Sequence, residues 1–288
     1  MGHILTMTCF GESHGPAMGV VLDGCPAGVD FDEALLLKNL ERRKPGGPLQ
    51  SSRKEEDQPI VLSGIFENKT LGTPIAIIVH NKDQRSSDYQ KEEKEFRAGH
   101  ADDLWKYKFS HFDYRGGGRA SGRETVCRVI AGSLSQMILK HLAPDLKVGA
   151  HIKSIGTLLS EDKDFSMNLE NLLLNAKKEG KSYGGKVQVH ISHVPKGLGQ
   201  PLFAKLKTEL TGALMGIGAT FGVMLANENL SQLEGSEFHQ NAHHYSGIRG
   251  GISTGEDIFL DLYFKPTSTF GKKAQEGRHD PCIVPRAL

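Results

Sequence analysis

The chain has 288 residues, 38% of them hydrophobic, enough to bury a sizeable core and too evenly mixed for a disordered or fibrous protein. With 35 basic against 34 acidic residues the formal charge is +1, so no overall field draws the chain to nucleic acid or to an anionic membrane, and any anion site has to be local. Cys9, Cys25, Cys127 and Cys282 lie far apart without a CxxC pair, there is no basic leader, and no run approaches the roughly 18 apolar residues of a membrane span. These features together read as a soluble cytoplasmic protein with reduced thiols.

Along the chain, short apolar runs rich in β-branched residues predict strands at Gly19–Leu22, Ile60–Phe66, Pro74–Val79, Val187–Ser192 and Ile258–Phe264, the last two alternating as half-buried strands do. A short strand also precedes the glycine-flanked histidine at residue 14. Asp30 and Glu33 form a D-x-x-E helix start before Ala34, Leu36, Leu37 and Leu40, and the run stops at Lys44-Pro45-Gly46. A longer helix is predicted from Ser121 to about Leu142, with Val126, Val129, Ile130, Met137 and Ile138 near one face and Pro144 ending it. Two more are expected at Leu169–Lys178 and Leu202–Met215. Cys25-Pro-Ala-Gly-Val29 leads into a helix carrying Leu37-Lys38, and Val194-Pro-Lys-Gly-Leu198 leads into one carrying Leu206-Lys207 at the same spacing. That echo points either to duplication within one domain or to coincidence in a common unit. The connections Lys44–Asp57, Asn81–Asp103 and Leu230–Gly251 are longer than most loops, where function often sits.

Three segments carry chemistry. In the stretch from Asp113 to Thr125, DYRGGGRASGRET, a triple glycine runs into a helix start bearing Arg115, Arg119 and Arg123. Glycine lets backbone approach a ligand closely, and the free N–H groups of a helix N-terminus favour an anion. Ser121 and Glu124 alone fit an ordinary capping pattern, but three arginines sit where the helix dipole disfavours cations, so the segment reads as a phosphate cradle. GESHG at 11–15 holds His14 between glycines. His100, in FRAGHAD, and His279, in GRHDP with Asp280, keep similar glycine, arginine and acid company, suited to proton transfer near neutral pH. His111, His141, His193, His243 and His244 are read as surface or satisfied core residues. The basic cluster Arg42, Arg43, Lys44, Arg53 and Lys54 reads by itself as cations at a helix C-terminus. No metal is expected, because neither HxxxH nor a carboxylate–histidine ladder is present, and GxGxxG after a strand and GxxxxGK[ST] are also missing. RGGGR occurs once in a near-neutral chain, which argues against RNA.

Taken together, GESHGPAMG with DGCPAG, then RGGGRASGRETVCRVIAG, then GRHDPCIVPRA resemble in order the three signature regions of the chorismate synthase family. DQRSSDY at 83, FRAGHAD at 96, GLGQP at 197, GGISTGE at 250 and KPTST at 265 extend the resemblance over nearly the whole chain. The resemblance implies an α+β fold, the β-α-β sandwich of the family, as a single domain over 1–288 assembled as a homotetramer, and internal duplication of that domain is the expectation the Pro-x-Gly echo adds. It implies a lyase of the shikimate pathway and of aromatic amino-acid biosynthesis, converting 5-enolpyruvylshikimate 3-phosphate to chorismate and phosphate by anti-1,4-elimination. Reduced FMN is the implied cofactor, with NADP chemistry entering if NADPH serves as its reductant. It also implies a further apolar helix after the third signature, beyond the position of Leu288.

By matching position, the resemblance makes His14 the proton donor to the leaving phosphate, with Ser13 and Ser121 as relay or hydrogen-bonding groups. It places His100 beside the flavin to balance its negative charge, and Asp280 to assist proton removal from the flavin N5 once the substrate's C6 hydrogen has been taken. Arg43, Arg97, Arg123 and Arg278 would grip substrate anions, which moves the basic cluster at 42–54 to the substrate mouth. Flavin contacts would fall to Arg119, Ala120 and Ser121, to Gly218, Ala219 and Gly250, to Lys265, Pro266, Thr267, Ser268 and Thr269, and to Arg278. The chain departs from the family pattern at Ala120, Gly218 and Ala98, where serine, asparagine and proline are usual, and at Gly47–Gln50, where an arginine is usual. A flavin-dependent oxidoreductase, and a binding protein holding a phosphorylated metabolite without turnover, are the readings weighed against it.

Overall fold

The computed structural model describes residues 2–44, 56–82, 100–113, 115–225 and 230–267. The chain divides into two compact units, Met1–Pro144 and Asp145–Leu288, each a mixture of antiparallel sheet and helix.

In the first unit, β1 (Thr6–Gly11), β2 (Ala17–Asp23), β4 (Pro59–Ser63) and β7 (Ile75–His80) form an antiparallel sheet in the order β1-β2-β7-β4. Alternation in β2 and β7 turns Met18, Val20, Leu22, Ile75, Ile77 and Val79 to one face. Helices α1 (Glu33–Arg43) and α3 (Thr125–Leu142) share a core with that face through Leu36 and Leu40, and through Val126, Ile130, Leu134 and Ile138. The helix-periodic residues predicted for α3 are therefore the ones that meet the sheet. A smaller sheet, in the order β3-β6-β5, joins β3 (Ala27–Asp30), β6 (Lys69–Leu71) and β5 (Ile65–Phe66), and α2 (Asp102–Phe109) comes after His100.

In the second unit, β8 (Lys147–Ile155), β9 (Leu158–Leu159), β10 (Gly185–Ser192), β11 (Thr220–Leu225) and β14 (Ile258–Phe264) form a sheet in the order β11-β14-β10-β8-β9. Leu260, Leu262, Val187 and Val189 are buried with Leu206, Leu210 and Leu214 of α5 (Leu206–Met215) packed on them. α4 (Phe165–Glu179) buries Leu173 and Ala176. α6 (Gly235–Gln240) and β12 (Ile248–Arg249) lie in the stretch Leu230–Gly251 read from sequence as a long loop, and β12 forms a short hairpin with β13 (Ile252–Ser253) just beyond it. No helix among the described residues is long and apolar enough to cross a membrane.

Several predicted boundaries move for identifiable reasons. α1 is capped by Asp32, whose Oδ1 accepts from the Leu35 amide at 2.9 Å, while Asp30 pairs with Lys69 at 2.6 Å instead of starting the helix. The single run Ile60–Phe66 breaks at Gly64 into β4 and β5, which pair with different neighbours. α5 begins at Leu206 rather than Leu202, and α4 extends beyond the predicted Leu169–Lys178 at both ends.

The two Pro-x-Gly turns are built alike. The Thr70 hydroxyl donates to Pro26 O at 2.6 Å and accepts from the Val29 amide at 2.9 Å. The Ser253 hydroxyl donates to Pro195 O at 2.6 Å and accepts from the Leu198 amide at 2.8 Å, the same two positions of its own turn. Gly28 and Gly197 both take positive φ, +83° and +97°, with open space where a Cβ would stand. The echo slides only at the helix, since Leu37 lies inside α1 whereas Leu206 is the first residue of α5.

Candidate functional site

GESHG is the connection between β1 and β2, closed by the Gly15 amide donating to Glu12 O at 2.9 Å. It holds both Ser13 and His14 buried, His14 at 3% exposure, with Ser13 Oγ 3.2 Å from His14 Nδ1 and donating to Arg115 O at 3.4 Å. A histidine between glycines would normally face water; this one is enclosed because Asn81 clamps the loop. Asn81 follows β7, whose last residue, His80, pairs with Ala17 at the start of β2. From there its amide nitrogen donates to Glu12 O at 3.0 Å and to Gly15 O at 2.7 Å, and its backbone N–H to Pro16 O at 3.1 Å.

The three arginines of the glycine-rich segment take three different partners. Arg115 forms a two-point pair with Asp113, both bonds 2.8 Å. Arg119 donates to Gly11 O at 2.8 Å and to Cys9 O at 3.3 Å, which fastens RGGGR to the end of β1. Arg123, 7% exposed, donates to Asn81 Oδ1 at 2.9 Å and to Asp57 Oδ1. The other Asp57 oxygen accepts from Arg43 through Nε at 3.1 Å and through Nη2, and Arg43 Nη1 reaches Thr125 Oγ1 at 3.4 Å. Arg43, at the last position of α1, is thus buried rather than a solvated helix-end cation. The helix predicted to begin at Ser121 opens instead as two 3-10 turns, Arg115–Ala120 and Gly122–Glu124, with α3 starting at Thr125. Ser121 caps the second turn by accepting from the Arg123 amide at 3.3 Å, and Glu124 goes to Arg128 at 2.7 Å.

The charges follow from this packing. Burial by itself would raise the Asp57 carboxyl, but the guanidiniums of Arg43 and Arg123 outweigh it and hold the group below the ordinary carboxylate range. Asp113 is also held low, chiefly by its hydrogen bond from Arg115 and against burial, with His14 adding to the effect. Glu12 is pushed up by burial, against the attraction of Arg119. Beside Glu12 and Asp113 lies a cleft of about 310 Å³, lined also by Trp105, Phe109, Gly118 and Arg119, a mixture of rings and charges suited to a flat, polar ligand.

In the second unit the positions matched to flavin contacts partly converge. Gly218 and Ala219 precede β11, and Lys265, Pro266 and Thr267 come after β14; these strands pair antiparallel, so both groups of residues fall at one end of the pair. The Lys265 amide donates to Ala219 O at 3.0 Å. The hydroxyls of Thr220 and Thr267 are buried without a hydrogen-bond partner among the described residues. Orphaned hydroxyls in a buried setting fit a polar ligand edge. Gly250 lies on the β12–β13 hairpin with room where a Cβ would stand, and Ala120 is exposed in the first unit. His100 precedes α2 in the same unit as His14. Arg97, Ser268, Thr269, Arg278, His279 and Asp280 lie outside the described residues.

Sequence reading did not single out Asp57 or Asn81. Each sits at the edge of a loop flagged for its length, and a lone acid or amide among charged neighbours carries no pattern that distinguishes it.

A family model described as chorismate synthase matches residues 5–288. A chorismate synthase from Bdellovibrio bacteriovorus is 49% identical over 312 residues, spanning 100% of this chain and 92% of the relative. One from Paracoccus denitrificans is 40% identical over 332 residues, spanning 100% and 90%. Among solved structures, one titled as the crystal structure of chorismate synthase superposes with a TM-score of 0.75 at 25% identity, covering 92% of this chain and 85% of that one.

Proposed function

The chain belongs to the chorismate synthase family and is a lyase, and on that premise we propose that it converts 5-enolpyruvylshikimate 3-phosphate to chorismate and phosphate by anti-1,4-elimination with reduced FMN. The observation that carries this reading is the buried Ser13–His14 pair joined through Asn81 to Arg123 and Arg43. The substrate brings a phosphate and two carboxylates. Guanidiniums are the side chains suited to such groups, because their planar fork of N–H donors matches a carboxylate or phosphate at two points.

In this reading Arg43 and Arg123 bind substrate anions and His14 donates a proton to the departing phosphate oxygen. The enclosure of His14 keeps water from competing for that proton. Ser13, 3.2 Å from Nδ1, fixes the ring's orientation. Arg97 and Arg278 complete the anion grip. Reduced FMN, when bound, supplies electron density to an elimination that involves no net redox change. The residues that the resemblance assigns to hold it are Gly218, Ala219, Gly250, Lys265, Pro266, Thr267, Ser268 and Thr269, and Arg119, Ala120 and Ser121. By the same resemblance His100 would balance its negative charge, and Asp280 would serve as the base that takes up a proton from it. We further propose one functional domain over 1–288, a cytoplasmic homotetramer, and NADPH as the reductant if the chain reduces its own flavin; the resemblance supports each of these.

Anaerobic turnover is the test. With catalytic reduced FMN, chorismate and phosphate should appear in equal amounts while the flavin stays reduced. Stoichiometric flavin oxidation without phosphate release would point instead to an oxidoreductase, and binding without turnover to a carrier.

A further inference from the structure

The proposed mechanism uses Arg43 and Arg123 and leaves Asp57 without a task, although among the described residues of the first unit it is the only buried carboxylate. Its side chain is 0% exposed. The two oxygens are divided between the arginines. Oδ2 takes Nε and Nη2 of Arg43, so that guanidinium is held in plane, and Oδ1 takes Nη1 of Arg123. Arg123 continues through Nε to Asn81, whose amide nitrogen holds the carbonyls of Glu12 and Gly15 on either side of Ser13 and His14. One carboxylate therefore joins the end of α1, the turn before α3 and the loop bearing the histidine. Long arginine side chains have many rotamers, and a two-point contact to a rigid buried acceptor removes most of that freedom.

We propose that Asp57 is a positioning residue, its two oxygens setting the guanidiniums of Arg43 and Arg123 in the orientation that receives an anionic substrate and registering them, through Asn81, to His14. This inference rests on the reading of Arg43 and Arg123 as substrate-binding groups. Asp57 touches neither substrate nor cofactor in it; preorganisation is its whole contribution to the reaction.

The test uses the full chain loaded with reduced FMN, with two readouts for each variant: anaerobic steady-state kinetics and calorimetric titration with 5-enolpyruvylshikimate 3-phosphate. Asp57→Asn keeps the shape and removes the charge that organises the arginines. It should raise both KM and Kd tenfold or more while kcat falls less than threefold. Asp57→Glu restores the carboxylate one methylene away and should recover part of the loss. An Asp57→Asn enzyme whose KM and Kd stay within twofold of wild type overturns the proposal, whatever happens to its melting temperature, since the carboxylate is then a structural tie alone. Should the Asn variant not fold, Asp57→Glu decides: a KM and Kd raised severalfold support positioning, and wild-type values overturn it. A wild-type chain that binds the substrate without turnover overturns the lyase reading separately, and the Kd comparison still decides the role of Asp57.

Discussion

The Pro26 turn in the first unit and the Pro195 turn in the second are closed by a hydroxyl from a neighbouring short strand, Thr70 in one and Ser253 in the other, bonded at the same two positions. The helices that come after the two turns differ. α1 ends in Arg42 and Arg43, and Arg43 folds back onto Asp57; α5 has no basic residue in its last turn and lays Leu206, Leu210 and Leu214 on its sheet. The same local scaffold thus delivers a cation to a buried acid in one unit and an apolar stripe to a core in the other. Chemistry here depends on which side chain the helix carries at its C-terminal end, with the supporting turn held constant.

The largest consequence of that difference should appear on breaking the triad. Arg123→Ala leaves Asp57 with one of its two guanidiniums, inside a site where the carboxylate is fully buried. Stranding a buried charge costs about 3–5 kcal/mol, and because Arg43 still pairs with Asp57 chemical denaturation of the variant should register a loss of up to that size. Arg123→Lys should recover part of the stability while losing the Asn81 contact. No change in either variant would mean that the triad is solvated in solution.

The next effect is catalytic. His14→Ala should lower turnover by about 100-fold or more, the scale of a lost general acid and equivalent to about 2.7 kcal/mol in the barrier, with the fold kept. Substituting His190 of the second unit, an exposed residue bonded to Asp257 at 2.7 Å, should leave kcat within a factor of about two, as a surface change does. Equal losses at both positions would sink the assignment of the chemistry to the GESHG loop.

Legibility from sequence divided along the same line. Apolar periodicity placed β2, β7, β10, β14 and α3 because burial selects those side chains strongly, and the Pro-x-Gly echo was visible because Gly28 and Gly197 occupy a backbone region that other residues avoid. β8 and β11 were missed; most of their residues are exposed or half-buried, so their alternation is weak. The motifs located Ser13, His14, Arg119 and Arg123, but not their partners. Reading RGGGRASGR as one cradle of three arginines follows from adjacency in the chain, whereas the fold sends Arg115 to Asp113, Arg119 to β1 and Arg123 to Asp57. Asp57 stayed hidden because its importance arises only when α1 and the start of α3 meet it, a long-range fact with no local signature.

The two matching turns offer a smaller and more symmetrical perturbation. Thr70→Val and Ser253→Ala each remove a buried hydroxyl and leave an amide and a carbonyl of the turn to find other partners. Each should cost about 1–3 kcal/mol, the range for an unsatisfied buried polar group. The two costs should agree within about 1 kcal/mol if the turns are equivalent in energy as well as in geometry. Thermal denaturation of both variants measures this, and a cost confined to one of them would reduce the resemblance to shape.

The smallest effect is the most specific to Asp57. Its folded-state pKa lies below the ordinary carboxylate value of 3.8, because burial, which would raise it, is outweighed by Arg43 and Arg123. A group with a depressed folded pKa contributes stability above its unfolded pKa and loses that contribution as pH falls through the folded value. The contribution is therefore complete at neutral pH and drains away only below about pH 4, toward the folded pKa. Asp57→Asn has no such proton to take up. The stability difference between wild type and this variant, measured by denaturant titration from pH 7 downward, should be constant to about pH 4 and then shrink as the wild-type carboxylate protonates. The Ser253→Ala variant of the second unit should keep a constant difference over the same range, since its hydroxyl does not titrate there. A difference for Asp57→Asn that persists unchanged into strong acid would show that the carboxylate's charge does not hold the arginines, and that its shape alone fills the site.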